Sequence, residues 1–109
     1  MIEEIVIANL GRSPRWSGLC RTEITSLISG FHVITGTYKE PEGDVPGLFY
    51  IVPIMASTLV TPHDLINETK NVSSKVNNGG VDYSIVVAVV EVDSSITYLK
   101  VKEGINTTI

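Results

Sequence analysis

The residues best suited to bind an anion lie together near the start of the chain. Arg12, Arg15 and Arg21 are the three arginines of the sequence, and they fall within ten residues around Trp16. Guanidinium groups hold phosphates through paired hydrogen bonds, so this segment could form a loop that binds an anion. The alternative is structural: the arginines pair with nearby carboxylates, and Trp16 fills a contact between subunits.

A second set of anion-binding candidates lies in the C-terminal part of the chain. Gly79 and Gly80 are adjacent, and such a pair lets backbone N–H groups approach an anion closely. Lys100 and Lys102 are two residues apart, so on a strand both side chains point to the same face of the sheet. The alternative for the lysines is that they protect an exposed sheet edge from pairing with another chain.

Groups for acid–base or metal chemistry are few. His32 and His63 have no histidine four residues away and no cysteine at ligand spacing, so we predict no metal site. Cys20 is the single cysteine, which excludes an intrachain disulfide, and we expect it to be a small core residue. We assign no catalytic residue, and the sequence favours binding over catalysis.

The composition limits the classes of partner. The chain has 109 residues, a formal net charge of -4 and a sequence pI of about 5.0, so we expect one domain over 1–109 and no nucleic-acid partner. The mean hydropathy of +0.24 is high for a small domain and favours burial in an oligomer. No apolar run reaches the roughly 20 residues of a membrane-spanning helix, and we expect a cytoplasmic protein.

The hydrophobic pattern predicts seven elements that must position these residues. The central one is a strand over 81–92, because Ile85 to Val90 is apolar without interruption and is therefore buried on both faces. Pro53 has no N–H to donate, so it should lie at an edge, at a bulge or near the end of its strand. In chain order we predict strands at 2–10, 31–38, 48–55, 81–92 and 96–102, with helices at 19–28 and from 61 onward.

This order predicts an α+β protein with the ferredoxin-like split βαβ fold, β-α-β-β-α-β, followed by a fifth strand. In that fold the sheet is antiparallel and both helices pack on one face. The other face would then expose several hundred Å² of apolar side chains, which marks an interaction site. We therefore expect a homo-oligomer that packs through its sheets.

The C-terminal half resembles the PII signalling family. The helix start TPHDLI at 61–66, the segment NGGVD at 78–82 and the segment YLKVKEG at 98–104 are similar to the family's corresponding motifs. The resemblance implies a trimer that binds ATP, ADP or AMP between subunits, with Gly79, Gly80, Lys100 and Lys102 at the phosphates. It also implies that the loop at 39–47 contacts a regulated protein.

Three functional hypotheses follow from these patterns. The first is a PII-like regulatory homo-oligomer, expected to be a trimer, that binds a small anionic ligand and requires no cofactor; Gly36 and Thr37 are included among its candidate ligand-binding residues. The second is a structural or inhibitory interaction module without a ligand. The third is a small phosphate-handling hydrolase that uses the loop of Arg12 and Arg15.

Overall fold

The computed structural model describes residues 2–41, 46–76 and 82–101. It is an α+β fold, as predicted, with one mixed sheet whose five strands lie side by side in chain order. Strands β3 and β4 are parallel and are joined through α2, whereas the other neighbouring pairs are antiparallel. The elements are α1 (Ile2–Leu10), β1 (Trp16–Thr25), β2 (His32–Tyr38), β3 (Gly47–Met55), α2 (Pro62–Lys75), β4 (Tyr83–Val90) and β5 (Ile96–Val101).

The first predicted strand is a helix, so the predicted ferredoxin-like element order is wrong at its start. Ile2, Val6 and Leu10 are buried, and their spacing of four residues places them on one side of α1. A short apolar run fits a strand or a buried helix equally well by pattern alone. Here packing against the sheet outweighs the strand preference of the β-branched residues.

The first predicted helix is strand β1. Apolar residues recur in this segment at three- and four-residue intervals, which is the spacing of a helix. In the structure Leu19, Cys20 and Ile24 lie in β1, and the pairing of this strand with β2 shifts register between Ser17 and Cys20 and again between Arg21 and Thr25. Gly18 lies within the first shift with a φ of 67°, a backbone conformation that favours glycine. Leu27 and Ile28 lie in the turn after β1, so the apparent helical spacing combines an irregular strand with the turn that follows it.

The two helices cover opposite faces of the sheet, which corrects the prediction that both lie on one face. On the face that packs against α1, the α1 face, Val6 belongs to a buried cluster with Ile51 and Ala88. On the opposite α2 face, Val72 belongs to a second cluster with Val52 and Val87. Because the protein's own helices pack on both faces, the argument that a sister chain must cover a bare apolar face no longer holds.

The second half of the fold follows the sequence pattern closely. Thr61 is the N-cap of α2: its hydroxyl accepts the N–H of Asp64 at 3.1 Å, and the Asp64 carboxylate accepts the N–H of Thr61 at 3.0 Å. Pro53 lies in β3 beyond Ile51, where the pairing with β2 ends, so its missing N–H interrupts no bond to that strand. Among the described residues, neither helix is long and apolar enough to cross a membrane.

Two buried carboxylates connect the helices to loops. Glu68 of α2 accepts hydrogen bonds from the Ser26 hydroxyl at 2.5 Å and the Ile28 N–H at 3.0 Å, which fixes the turn between β1 and β2. Glu3 of α1 accepts the N–H of His32 at 2.9 Å, which fixes the start of β2. Each helix is therefore held by a polar contact as well as by apolar packing.

Candidate functional site

A depression of about 360 Å³ opens on the α1 face beside the C-terminal end of α1. It exists because α1 has nine residues and so reaches only about 14 Å along the strands, leaving the far end of this face uncovered. Leu10, Ile51 and Val86 form its apolar floor. Its complete lining is Asn9, Leu10, Ser13, Trp16, Ile51, Val86 and Tyr98.

The polar groups of the depression are held in place by one hydrogen bond. The Tyr98 hydroxyl donates to Oδ1 of Asn9 at 2.7 Å, which joins β5 to the end of α1. Burial raises the pKa of Tyr98 to about 12, so at neutral pH the phenol keeps its proton and remains a donor. With Oδ1 engaged in this way, the Nδ2 group is the donor that the Asn9 amide offers to a ligand.

Trp16, at one side of the depression, belongs to a cluster of three half-buried aromatic side chains. Its ring centroid lies 5.1 Å from that of Tyr38 and 5.3 Å from that of Phe49, with tilted or edge-to-face geometry. Tyr38 and Phe49 are themselves 6.4 Å apart at 86°. These are the distances and angles that aromatic pairs prefer, so the three rings form a stable aromatic surface at the end of the sheet.

Exposed cations border this aromatic surface. Nζ of Lys100 lies 5.9 Å from the centroid of the Phe49 ring, within the range of a cation–π contact. Nη1 of Arg15 donates to the carbonyl oxygen of Lys39 at 3.5 Å, which keeps the loop before β1 close to the end of β2. Arg12 lies in the same loop and is also exposed. The depression and its surroundings therefore combine aromatic, polar and positively charged groups.

The predicted glycine and lysine site is only partly within the described residues. Gly79, Gly80 and Lys102 lie outside them, as does the middle of the loop at 39–47. Gly36 pairs with Phe49, but a Cβ at Gly36 would lie 2.6 Å from Cδ2 of Leu19, so the space above this glycine is filled by a leucine. Among the predicted ligand-binding residues that the structure describes, Lys100 has its side-chain cation against the aromatic surface.

Thr37 lies on a strand, as predicted, whereas the arginines lie on or beside elements that differ from those predicted. The Thr37 hydroxyl lies 2.8 Å from that of Ser17 across the β1–β2 pair. Arg12 and Arg15 share a loop, but it joins α1 to β1 rather than a strand to a helix. Arg21 lies within β1, where its charge acts on the Glu3 carboxylate.

The remaining candidates for chemistry have other environments. Nδ1 of His32 lies 2.9 Å from the carbonyl oxygen of Thr22, and His63 is exposed in the first turn of α2. Cys20 is exposed, which corrects its prediction as a core residue; that prediction depended on a helix where the structure has a strand. Within the described ranges, no three His, Cys, Asp or Glu side chains are grouped in a way that could hold a metal ion.

Comparison with known proteins defines the class of protein. The family model of the Sen15 protein matches residues 5–108, nearly the whole chain. The chain therefore belongs to the Sen15 family, a family of tRNA splicing endonuclease subunits. None of the curated proteins matches it.

This family assignment overturns the PII resemblance and the function derived from it. The matching segments were short: TPHDLI contains the N-cap, the proline and the acidic residue that begin many helices, so it carries little family information. The predictions of a signalling protein and a nucleotide-binding regulator are wrong. The predictions of a homo-oligomer and of no nucleic-acid partner are also wrong, because the family's complex is a hetero-oligomer that acts on RNA.

Sequence reasoning missed most of the depression. The sequence groups Trp16 with the arginines or makes it a candidate subunit contact, and it does not link Trp16 to Tyr38, Tyr98 or Asn9. Tyr38 meets Trp16 through the β1–β2 register, and Asn9 meets Tyr98 across 89 residues of chain. The signal in the sequence was the tryptophan flanked by arginines, which is consistent with a surface that binds a negatively charged partner.

Proposed function

We propose that this protein is a subunit of a tRNA splicing endonuclease and that it contributes binding surfaces to the complex. The observation that carries the proposal is the match of the Sen15 family over residues 5–108. In this role the chain associates with other subunits of the endonuclease, and the complex cleaves intron-containing precursor tRNA.

The edges of the sheet supply surfaces for association. Strands β1 and β5 are the outer strands of the described sheet, so the outer side of each presents backbone N–H and C=O groups. Leu99 of β5 is 49 % exposed, and Val92 in the turn before it is 94 % exposed. An edge strand with exposed apolar side chains can accept a strand or loop of another protein, so we place the contact with a partner subunit at β5.

The environments of the histidines favour a binding role. His32 uses its ring and its backbone to fix β2 against β1 and α1, through Thr22 and Glu3. His63 lies in a helix start whose geometry is set by Thr61 and Asp64. Both positions are explained by the fold, so we assign the cleavage chemistry to partner subunits.

Depletion of the protein from its own cells tests the proposed function. We expect precursor tRNA that retains its intron to accumulate, and we expect added protein to restore cleavage in the depleted extract. His63→Ala protein should restore cleavage as fully as the wild type, because the side chain is exposed and outside the proposed contacts. Normal processing of precursor tRNA after depletion would contradict the proposal.

A further inference from the structure

The depression beside α1 has the composition of a site for a nucleobase. We propose that it binds an unpaired base of an RNA strand, with Trp16 stacked on the base and with Lys100, Arg12 and Arg15 near the flanking phosphates. This inference rests on the proposed function, and it names the part of the substrate that the subunit contacts.

The size and walls of the depression fit one base. A volume of about 360 Å³ lies near the lower end of the range for small-ligand pockets, roughly 300–1,000 Å³. Its floor is apolar and Trp16 is one of its lining residues, so a flat aromatic ring that enters the depression would contact the indole. Stacking of this kind binds any base, because every base has a π-face.

The polar rim adds a hydrogen-bond donor to the site. Tyr98 occupies Oδ1 of Asn9, which leaves the Nδ2 group as the amide's donor. An N–H donor at the edge of the site can pair with an acceptor of any base, a carbonyl oxygen of uracil, guanine or cytosine or a ring nitrogen of adenine. We therefore expect the site to accept an unpaired base of any type.

The charges favour RNA over a protein segment as the occupant. The whole chain has a net charge of -4. Nevertheless, the exposed Arg12 and Arg15 are the chain neighbours of Ser13 and Trp16, which line the depression, and Lys100 lies against Phe49 of the adjoining aromatic surface. Lys39 is followed directly by Glu40, so we do not count it as a phosphate contact. Single-stranded RNA is recognised where aromatic side chains stack on bases beside cations that follow the backbone. A base within a duplex cannot reach such a site.

Trp16 is the only tryptophan of the chain, so its fluorescence reports directly on the depression. Titration of the full chain with a single-stranded oligouridine of about 10 nucleotides should quench this fluorescence, and the same strand in an RNA duplex should have little effect.

Substitutions then test the contacts, with fluorescein-labelled oligouridine as the probe. Trp16→Leu should lower the affinity roughly 10-fold, and Trp16→Phe should restore part of it, because a phenyl ring still stacks. Lys100→Gln should reduce the slope of log affinity against log salt by about 0.7, the value for one phosphate contact with a single strand. Lys70→Gln is the matched control, since Lys70 is an exposed lysine on α2, on the opposite face of the sheet.

Three outcomes would overturn the inference. The first is unchanged Trp16 fluorescence on addition of oligouridine. The second is equal affinity of Lys100→Gln and Lys70→Gln protein, a comparison that does not depend on the folding of the Trp16 variants. The third is loss of association with partner subunits in Trp16→Leu or Lys100→Gln protein while RNA affinity is unchanged, which would make this surface a subunit contact. None of these outcomes alters the depletion experiment, so the proposed function can stand if this inference fails.

Discussion

Glu3 shows how one side chain in the first turn of a short helix can stabilise a distant strand. Its carboxylate is 1 % exposed and accepts the N–H of His32, while Oε1 has no hydrogen-bond partner among the described residues. Burial by itself raises the pKa of this carboxyl. The N–H groups of His32 and of Glu3 itself, together with the charges of Arg21 and His32, outweigh burial and lower the pKa below its usual value of 4.5.

The lowered pKa of Glu3 predicts a specific pH dependence. Because the folded state holds the carboxylate in its charged form, its contribution to stability is complete above the unfolded-state pKa and is lost as the pH falls through the folded-state pKa. Glu3→Gln should cost about 1.5–3 kcal/mol of unfolding free energy at pH 7, the range for a hydrogen bond to a charged group. That difference should shrink between pH 5 and pH 3, as measured by urea unfolding at a series of pH values. A difference that is constant or increases as the pH falls would contradict this account.

At the scale of elements, the sequence predicted the C-terminal half well and the N-terminal quarter poorly. Helix α2 has its own start signal in Thr61, Pro62 and Asp64, and β4 has an uninterrupted apolar run, so both were predicted from local residues. Helix α1 has only the acidic part of such a signal, Glu3 and Glu4 in its first turn. Strand β1 is irregular at Gly18, so neither period fits it well. These two elements are defined by what they pack against, which a single sequence does not show.

The capping box of α2 can be tested by substitution of its N-cap. Thr61→Ala removes the oxygen that accepts the Asp64 N–H, and we expect a loss of about 1 kcal/mol of unfolding free energy in urea. Thr61→Ser keeps a hydroxyl at the same position and is the control, with an expected change below about 0.5 kcal/mol. Equal stability of the alanine and serine proteins would mean that other contacts, such as the Glu68 network, determine where α2 begins.

At the scale of the whole molecule, one sheet separates two apolar cores. Val6 lies in the core beneath α1 and Val72 in the core beneath α2, and both are fully buried. A helix packs about 10 Å from a sheet, so the two side chains are far enough apart to act independently. The sequence indicated that the central strand is buried on both faces. It did not show that helices of the same chain, α1 and α2, pack on those two faces.

Two substitutions test this separation into two cores. Val6→Ala and Val72→Ala should each cost roughly 2 kcal/mol of unfolding free energy, from lost burial and the cavity that remains. Their effects should add to within about 0.5 kcal/mol in the double variant, because they share no neighbours.

The matched comparison is the double variant Val6→Ala with Ile34→Val, whose two residues belong to the same cluster. In this variant we expect the change in unfolding free energy to deviate more from the sum of the two single changes. Coupling between Val6 and Val72 as large as that of the pair within one cluster would show that the two cores behave as a single unit.

The candidate site belongs to the same scale, because it is made by elements that meet from distant parts of the chain. Trp16 comes from β1, Phe49 from β3 and Lys100 from β5, and the register of the four strand pairs between β1 and β5 determines which of their side chains share a face. Residue types alone indicated anion binding near the arginines. They did not indicate that aromatic side chains would lie uncovered at one end of the sheet. Whether these side chains are uncovered depends on helix α1 being shorter than the strands it packs on.

The order of the strands in the sheet is the order of the strands in the chain. No strand has to enter between two that are already paired, so each can join the growing edge as it leaves the ribosome. Strand β4 is the exception. It pairs in parallel with β3, so it can join the sheet only after α2 has been synthesised and has folded across the sheet. Synthesis and assembly of the described sheet can therefore proceed in the same direction, with β5 as the last described strand to be added and, like β1, an outer strand with one side open to a partner.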